Sequence, residues 1–450
     1  MNRLPLEGVR AVESSYVYAM PLAASLLTDL GAEVIKVEGL SRIDTTRGGF
    51  YGGATPDNVP GPDPWNRTST YQQLNRGKKS LVLDLRRDEG RRVLKDLIKV
   101  SDIYIENFTP RVLRGWGMDY PNLVKIKPDL IMVSNTGYGH GEGPYSQWPA
   151  QATTMEATHG HCYVTGYRGG VPSKVGQSFV DFLSCWAALY TIALALRHRR
   201  RTGKGQWIDL SMYQMGAYWV SDYVLDWIAN RRLPERIGDR HPWRAPQGCY
   251  PCAGTDQWCA ISVGGDGEWS ALCRVMGRPD LVDDSRFATG PGRLEHHDAL
   301  DQIISEWTKG LDKLKVMELL QAAGVPAGPV FDARDVNANP HSWARGFLQK
   351  VAFPEEWHMG KRVFMGLPWR FGQEPFQIVG PAPGLGQDNH TILRQLLGYP
   401  EAEVRGLEEE RIIGTVPAEP PAVPKLTLED EVRLGRLAYY DSDYKERLGI

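Results

Sequence analysis

Cysteine is scarce in this chain, six in 450 residues at irregular spacing. That excludes a disulfide framework. The one close pair, Cys249-Tyr-Pro-Cys252, has only Cys259 and Cys273 as distant partners. They fall in segments read as strands and a helix, so buried thiols are expected and no metal site. A basic excess is missing too: 52 Lys and Arg stand against 54 Asp and Glu, a formal net charge of −2. Phosphate backbones demand a positive surplus, so no nucleic-acid partner is expected. The longest apolar segment, Phe182 to Leu196, follows Asp181 and stops short of a bilayer's thickness. It reads as a buried helix, and no membrane partner is expected. Met1-Asn2-Arg3-Leu4 leads toward a strand rather than an apolar leader, which makes a cytoplasmic location the expectation.

What is present is an ordinary globular mixture, 42% hydrophobic and 24% charged, in a chain long enough for two domains. Fourteen tryptophans suit aromatic anchors in a core or an extensive interface. Val9 to Glu13 reads as a strand, Pro21 suits the first turn of a helix, and Gly31 stops that helix before a second strand ending at Glu38. Strand, helix and strand in about thirty residues make a right-handed parallel unit. The pattern repeats with a strand at 81–85, a helix at 88–100, and strands at 103–105 and 130–133. A doubly wound α/β sheet is expected, binding its ligand outside the strands' carboxyl ends, near Tyr16 to Met20.

Further along, Gly137-Tyr-Gly139-His-Gly141-Glu-Gly143 lacks a Walker lysine and reads as a flexible loop. Asp181 opens a long helix with Phe182, Trp186, Leu189, Ala193 and Leu196 on one stripe. A Pro-, Gly- and Arg-rich crossing at 230–255 leads to a smaller α+β region, and the chain after Arg345 returns to strand and turn signals. The run Val416 to Pro424 reads as a linker before a charged tail.

Asp181 is the leading chemical candidate. A carboxylate at a helix start faces the positive end of a dipole and unpaired N–H groups, which keeps it ionised and oriented. Such a group is a competent nucleophile toward an activated acyl carbon. Capping alone also accounts for an aspartate there. Glu156, on a predicted helix, either lines the same cleft or faces solvent. Asp266, among glycines, is a loop residue or a second acid–base group. Arg47, Asn75, Lys78 and Asn107 lie near strand ends, placed to neutralise a phosphate-rich ligand or merely to be solvated.

Leu30-Gly-Ala-Glu-Val-Ile-Lys-Val-Glu38, Asp44 with Arg47, Asn75-Arg-Gly-Lys-Lys-Ser80, Glu106-Asn-Phe-Thr-Pro110, Arg201-Thr-Gly-Lys-Gly-Gln206 and Gly324-Val-Pro-Ala-Gly-Pro329 occur in this order between Leu6 and about Ile413. Together they resemble the family III CoA-transferases, the group containing formyl-CoA transferase, carnitine CoA-transferase and the α-methylacyl-CoA racemases. The resemblance implies a Rossmann-like large domain built from both chain ends around a smaller α+β domain. With the composition shifts it gives 1–225 and 346–416 as the large domain, 226–345 as the small one with its linkers, and 417–450 as an extension. It also implies an interlocked-ring homodimer.

By the same resemblance the catalytic aspartate falls on Asp181. It would carry CoA from an acyl-CoA donor to a carboxylic acid acceptor through an aspartyl anhydride and an aspartyl-CoA thioester. CoA would lie near Val17, Tyr18, Ala19, Lys78, Asn107 and Phe108, with Arg47 and Asn75 close by. Similar racemases place a histidine where this chain has Gln151, and their second-domain glutamate falls near Asp266. Without that histidine a two-base proton exchange lacks one partner, so racemase is the alternative enzyme and a catalytically silent subunit the alternative of another class. Formyl-CoA transferase has a tyrosine at the Gln151 position and a mobile glycine run in its small domain. Here only Arg244-Ala-Pro-Gln-Gly248 is offered for that run.

Overall fold

The computed structural model describes residues 4–48, 53–141, 143–176, 178–421 and 426–450. The chain divides into two compact units, one of Met1–His161, Gly176–Val224 and Asn337–Ile450, the other of Cys162–Val175 and Leu225–Val336.

The larger unit is built on six parallel strands, β1 (Arg10–Glu13), β2 (Glu33–Glu38), β3 (Lys79–Val82), β4 (Ile103–Glu106), β5 (Ile131–Thr136) and β6 (Gln206–Ser211), in the order β3-β2-β1-β4-β5-β6. This is the doubly wound order of dinucleotide-binding sheets. Strands with helices on both faces read as near-continuous apolar runs, and β4 and β5 are buried along their whole lengths. Alternate side chains divide between the faces. Val12, Ile35 and Tyr104 join one core with Val93, Leu94 and Leu97 of the helix Asp88–Lys99. Ala11, Val34, Ile103 and Ile105 join the other, under the helices Ala19–Asp29 and Phe179–Thr202. Gly31 ends the first of these helices at φ 99°, where a Cβ would stand 2.6 Å from that of Leu4. Residues 391–413 return to the first core through Ile392, Leu393, Val404, Leu407 and Ile412.

The long helix departs from expectation twice. It starts at Phe179, so Asp181 sits inside the first turn and Ser178 is the N-cap, at φ 52°. Its buried face is also different: Ser184, Cys185, Ala188, Ile192 and Ala195 go inside, packed in one core with Ala19, Ala23 and Ala24 of the neighbouring helix. Small residues on both helices allow that close approach. Phe182 and Trp186 of the expected stripe, followed at i+4 spacing by Tyr190 and Leu194, remain exposed at 38, 38, 66 and 46%. By length and composition this 24-residue helix is apolar enough to cross a membrane, longer than the apolar run alone indicated. One of its faces is spent on the soluble-type core just described.

The smaller unit has an antiparallel sheet of β7 (Gln247–Pro251), β8 (Trp258–Ser262) and β9 (Ala327–Pro329). Helices Asp266–Val275, His297–Thr308 and Lys313–Ala322 cover it, around Trp269, Leu272, Phe287, Leu300 and Leu320. Cys252, Cys259 and Cys273 are buried free thiols and Cys249 is exposed. A hairpin, β10 (Leu348–Ala352) and β11 (Lys361–Met365), belongs to the larger unit. The tail is tied down there as well: Lys445 pairs with Asp57 at 2.8 Å, the Tyr444 hydroxyl donates to the same carboxylate, and Lys350 Nζ donates to the Gly449 carbonyl at 3.0 Å. Residues 422–424 of the expected linker lie outside the described residues.

Candidate active site

Strand order reverses between β1 and β4, and the crevice outside their carboxyl ends is where such sheets take ligands. The chains leaving the two strands are stapled together there. Asn107 accepts the Tyr16 N–H at 3.0 Å through Oδ1 and donates to the Tyr16 carbonyl at 2.8 Å through Nδ2. Val17 follows at φ 73°, a left-handed conformation costing a β-branched residue roughly 1–3 kcal/mol. Its N–H donates to Asp44 Oδ1 at 3.3 Å, so the strained residue is fixed from both sides.

A cavity of about 190 Å³ opens at this point. Val17, Asn107 and Phe108 form one wall; Gln151, Ser178 and Asp181 stand in another. Five residues proposed from sequence, Val17, Asn107, Phe108, Gln151 and Asp181, are thus brought together from four separate stretches of chain. Asp181 is the one charged side chain among the described residues lining it. Tyr18 and Ala19 stand beside the wall, as the N-cap and first residue of the helix Ala19–Asp29.

Arg47, Asn75 and Lys78 sit elsewhere, in a sealed ion network. Lys78 is paired with Glu13 at 2.7 Å and donates to Asn75 Oδ1 and the Pro21 carbonyl, each at 2.8 Å. Arg47 grips Glu38 at 2.8 Å, donates to Asn66 Oδ1 at 2.7 Å and lies 3.7 Å over the Tyr71 ring. Lys36 joins Glu13 at 3.4 Å and Asp44 at 3.0 Å and donates to the Ser15 carbonyl at 2.9 Å. Three cations meet three carboxylates, each with all its visible donors spent on protein. The three cations spend their charge inside the protein, because a buried charge is tolerated only when it is paired, and Lys36 also holds the chain at Ser15.

Glu156 is corrected likewise, and Asp266 is found in a helix, not a loop. Glu156 does not line the cavity; it is fully buried, and its Oε1 accepts the Phe179 N–H at 2.7 Å. Asp266 lies in the smaller unit, in the first turn of Asp266–Val275, with Oδ1 2.6 Å from Arg293 Nη2. Gln151 heads the helix Ala152–Thr158, its N–H donating to Thr154 Oγ1 at 3.2 Å. Gly137 is required nearby, since a Cβ there would stand 2.2 Å from that of Ala150.

Two features escaped the sequence. Gly264-Gly265-Asp266-Gly267 is a glycine run leading from β8 into the first turn of the following helix, the kind of run sought at 244–248; the glycines around Asp266 were the signal for it. The other is Glu106, at the end of β4, fully buried and accepting the Phe108 N–H at 2.8 Å. His140 Nε2 lies 4.0 Å from its Oε1, while Asp209 accepts the His140 N–H at 2.9 Å. Burial pushes the Glu106 carboxyl up to about 7, against the opposing pull of Ser134, His140 and the Phe108 N–H.

An acid raised in this way favours the fold when protonated. Its contribution is fully present below the ordinary carboxyl range and is lost as pH rises through about 7. Glu106→Gln stays neutral and keeps an acceptor for Phe108. It is expected to unfold at higher free energy than the parent at about pH 8, by up to about 3 kcal/mol, and to match it near pH 4. Denaturation at the two pH values checks this; a gap independent of pH would contradict it.

The model of CoA-transferase family III matches residues 6–389, and the chain belongs to the family III CoA-transferases. It is therefore an enzyme of the transferase class that works with CoA thioesters. It is 32% identical over 415 residues to the succinyl-CoA–D-citramalate CoA-transferase of Chloroflexus aurantiacus, covering 91% of this chain and 98% of that protein. The succinyl-CoA–L-malate CoA-transferase beta subunit of the same organism is 32% identical over 413 residues, covering 91% and 98%. Among solved structures, a CAIB/BAIF family protein from Brucella suis superposes with a TM-score of 0.77 at 31% identity, over 88% of this chain and 100% of that one.

Proposed function

We propose that the protein moves CoA from a short-chain acyl-CoA, with succinyl-CoA as the leading donor, to a small carboxylic acid of the malate type, and that Asp181 is the acylated residue. The observation that carries this reading is Asp181 as the single charged group among the described residues lining a cavity at the sheet's switch point, on the first turn of a 24-residue helix. The Asp181 carboxylate attacks the donor thioester carbonyl; the C–S bond breaks and an acyl–aspartyl anhydride and CoA thiolate result. The thiolate attacks the aspartyl carbonyl, releasing the donor acid and leaving aspartyl-CoA. The acceptor carboxylate then attacks aspartyl-CoA, and the thiolate takes the new acyl group, regenerating Asp181. The thioester's energy is conserved throughout, so no ATP is consumed. The small volume and the neutral polar lining, with Asn135, Thr136 and Gln151, suit a short acid. Racemisation needs a second base, and Gln151 cannot act as one.

CoA is assigned to the walls at Val17, Tyr18, Ala19, Asn107 and Phe108, with Lys36 on the Ser15 carbonyl and Lys78 on the Pro21 carbonyl bracing either end of that stretch. We assign the exposed aromatic and aliphatic stripe of the long helix, Phe182, Trp186, Tyr190 and Leu194, to a second copy of the chain, since contiguous apolar surface of this kind marks an interface. The test is the purified chain alone with succinyl-CoA and a panel of C4 and C5 acids. Ping-pong transfer by a homodimer, with an adduct trapped by hydroxylamine on Asp181, is expected. Turnover only after a second, different chain is added would overturn the homodimer, and adduct on another residue would overturn the role of Asp181.

A further inference from the structure

The first turn carrying Asp181 is capped from outside its own helix. Ser178, the N-cap, is in the left-handed region at φ 52° and makes no side-chain cap bond. One of the unpaired first-turn donors, the Phe179 N–H, is taken by Glu156 Oε1 at 2.7 Å, from the separate helix Ala152–Thr158. The same two helices are joined a residue to either side. Met155 and Val180, both fully buried, pack in one cluster, so a polar and an apolar contact together grip the two residues immediately before Asp181. Ala152 and Thr153 of the capping helix line the cavity. One rigid piece thus carries part of the cavity wall and fixes the helix start.

Ordinary capping does not need a fully buried glutamate 23 residues upstream, whose second oxygen, Oε2, is buried without a hydrogen-bond partner among the described residues. A nearby serine or aspartate does the same at the surface with no desolvation. The arrangement makes sense when the position of the turn is what matters, because near-attack geometry is lost with displacements of about 1 Å.

We propose that Glu156 is a positioning residue for acyl transfer: its hydrogen bond to the Phe179 N–H aims the Asp181 carboxylate at the thioester carbonyl. The inference rests on the reading of Asp181 as the acylated group. Reach and acceptor geometry set the effect, not the charge. Glu156→Gln keeps the length and an acceptor oxygen but loses the charge. Glu156→Asp keeps the charge but withdraws the acceptor by one methylene.

The experiment is rapid-quench mass spectrometry of the Asp181 adduct from succinyl-CoA, in the full-length parent and both variants, alongside steady-state kcat and KM. Glu156→Gln is expected to acylate within roughly tenfold of the parent, and Glu156→Asp to be slowed roughly a hundredfold, with KM for the acyl-CoA changed less than threefold in both. A role confined to folding would lower the active fraction without changing the single-turnover rate of the molecules that react. Glu156→Asp matching or outpacing Glu156→Gln, or equal rates in all three proteins, would overturn the positioning role and leave Asp181 in place. Absence of any Asp181 adduct in the parent would overturn the reading of Asp181 itself.

Discussion

Asp181→Ala is expected to lose CoA transfer by at least about 10⁴-fold, the scale on which enzymes lose rate when the group that forms the covalent intermediate is removed. The argument is local. No other charged side chain among the described residues lines the cavity, so no neighbour can take over the attack. The fold has little reason to object. Asp181 is half-buried on the first turn, the helix start is held by Glu156 and by the Met155–Val180 contact, and the buried face of the helix lies at other positions. The variant should therefore unfold within about 1 kcal/mol of the parent, as for a substitution away from the core, and still bind CoA. Transfer assays with succinyl-CoA, paired with calorimetric titration of CoA, check both halves. Residual transfer above about one per cent of the parent would show that another group is acylated.

Lys36→Met is expected to be the most damaging single change to stability outside the apolar cores. Burial opposes the lysine's charge, but Glu13, Asp44 and Glu38 outweigh it and hold its pKa above the ordinary lysine range. Removing the ammonium leaves Glu13 and Asp44 sealed with one cation fewer, and breaking a buried ion pair from one side costs about 3–5 kcal/mol. It also frees the Ser15 carbonyl that Lys36 holds, two residues before the strained Val17. The double change Lys36→Met with Glu13→Gln restores charge balance and should cost less than the sum of the two single changes, because the sites touch. Urea unfolding followed through the larger unit's transition measures this. Simple additivity would mean the six charges are not acting as one network.

The sheet was legible because its strands are buried on both faces: runs such as Ile131-Met-Val133 admit no other reading at that length, and Gly31 marks the first helix's end by a conformation few residues adopt. Asp181 was legible as a helix-start carboxylate. What the sequence hid is non-local. Nothing in 178–182 reveals that the cap is Glu156, so the helix start was placed two residues late. The stripe through Phe182 and Trp186 obeys helical spacing, but spacing does not tell a core face from a face left for a partner; the small residues Ala188 and Ala195 decide it by how closely the neighbouring helix approaches. Arg47 and Lys78 looked like ligand-facing cations because their carboxylate partners, Glu38 and Glu13, lie 9 and 65 residues away. Glu106 looked like an ordinary strand end until its burial was seen.

The central claim, that the Asp181 carboxyl exchanges an oxygen with the acids it serves, is tested most directly by turnover with an acceptor acid carrying heavy oxygen in both carboxylate positions. In the proposed sequence the acceptor's attacking oxygen becomes the bridging atom of the second anhydride. When the thiolate takes the acyl group, that oxygen stays on the aspartate. Peptide mass spectrometry after a single turnover should find one heavy oxygen in Asp181, rising toward two over further cycles, and none in Glu156 or Glu106. Full transfer activity with an unlabelled Asp181 would contradict the account, because the acyl group would then have passed between CoA and acid without an aspartyl anhydride.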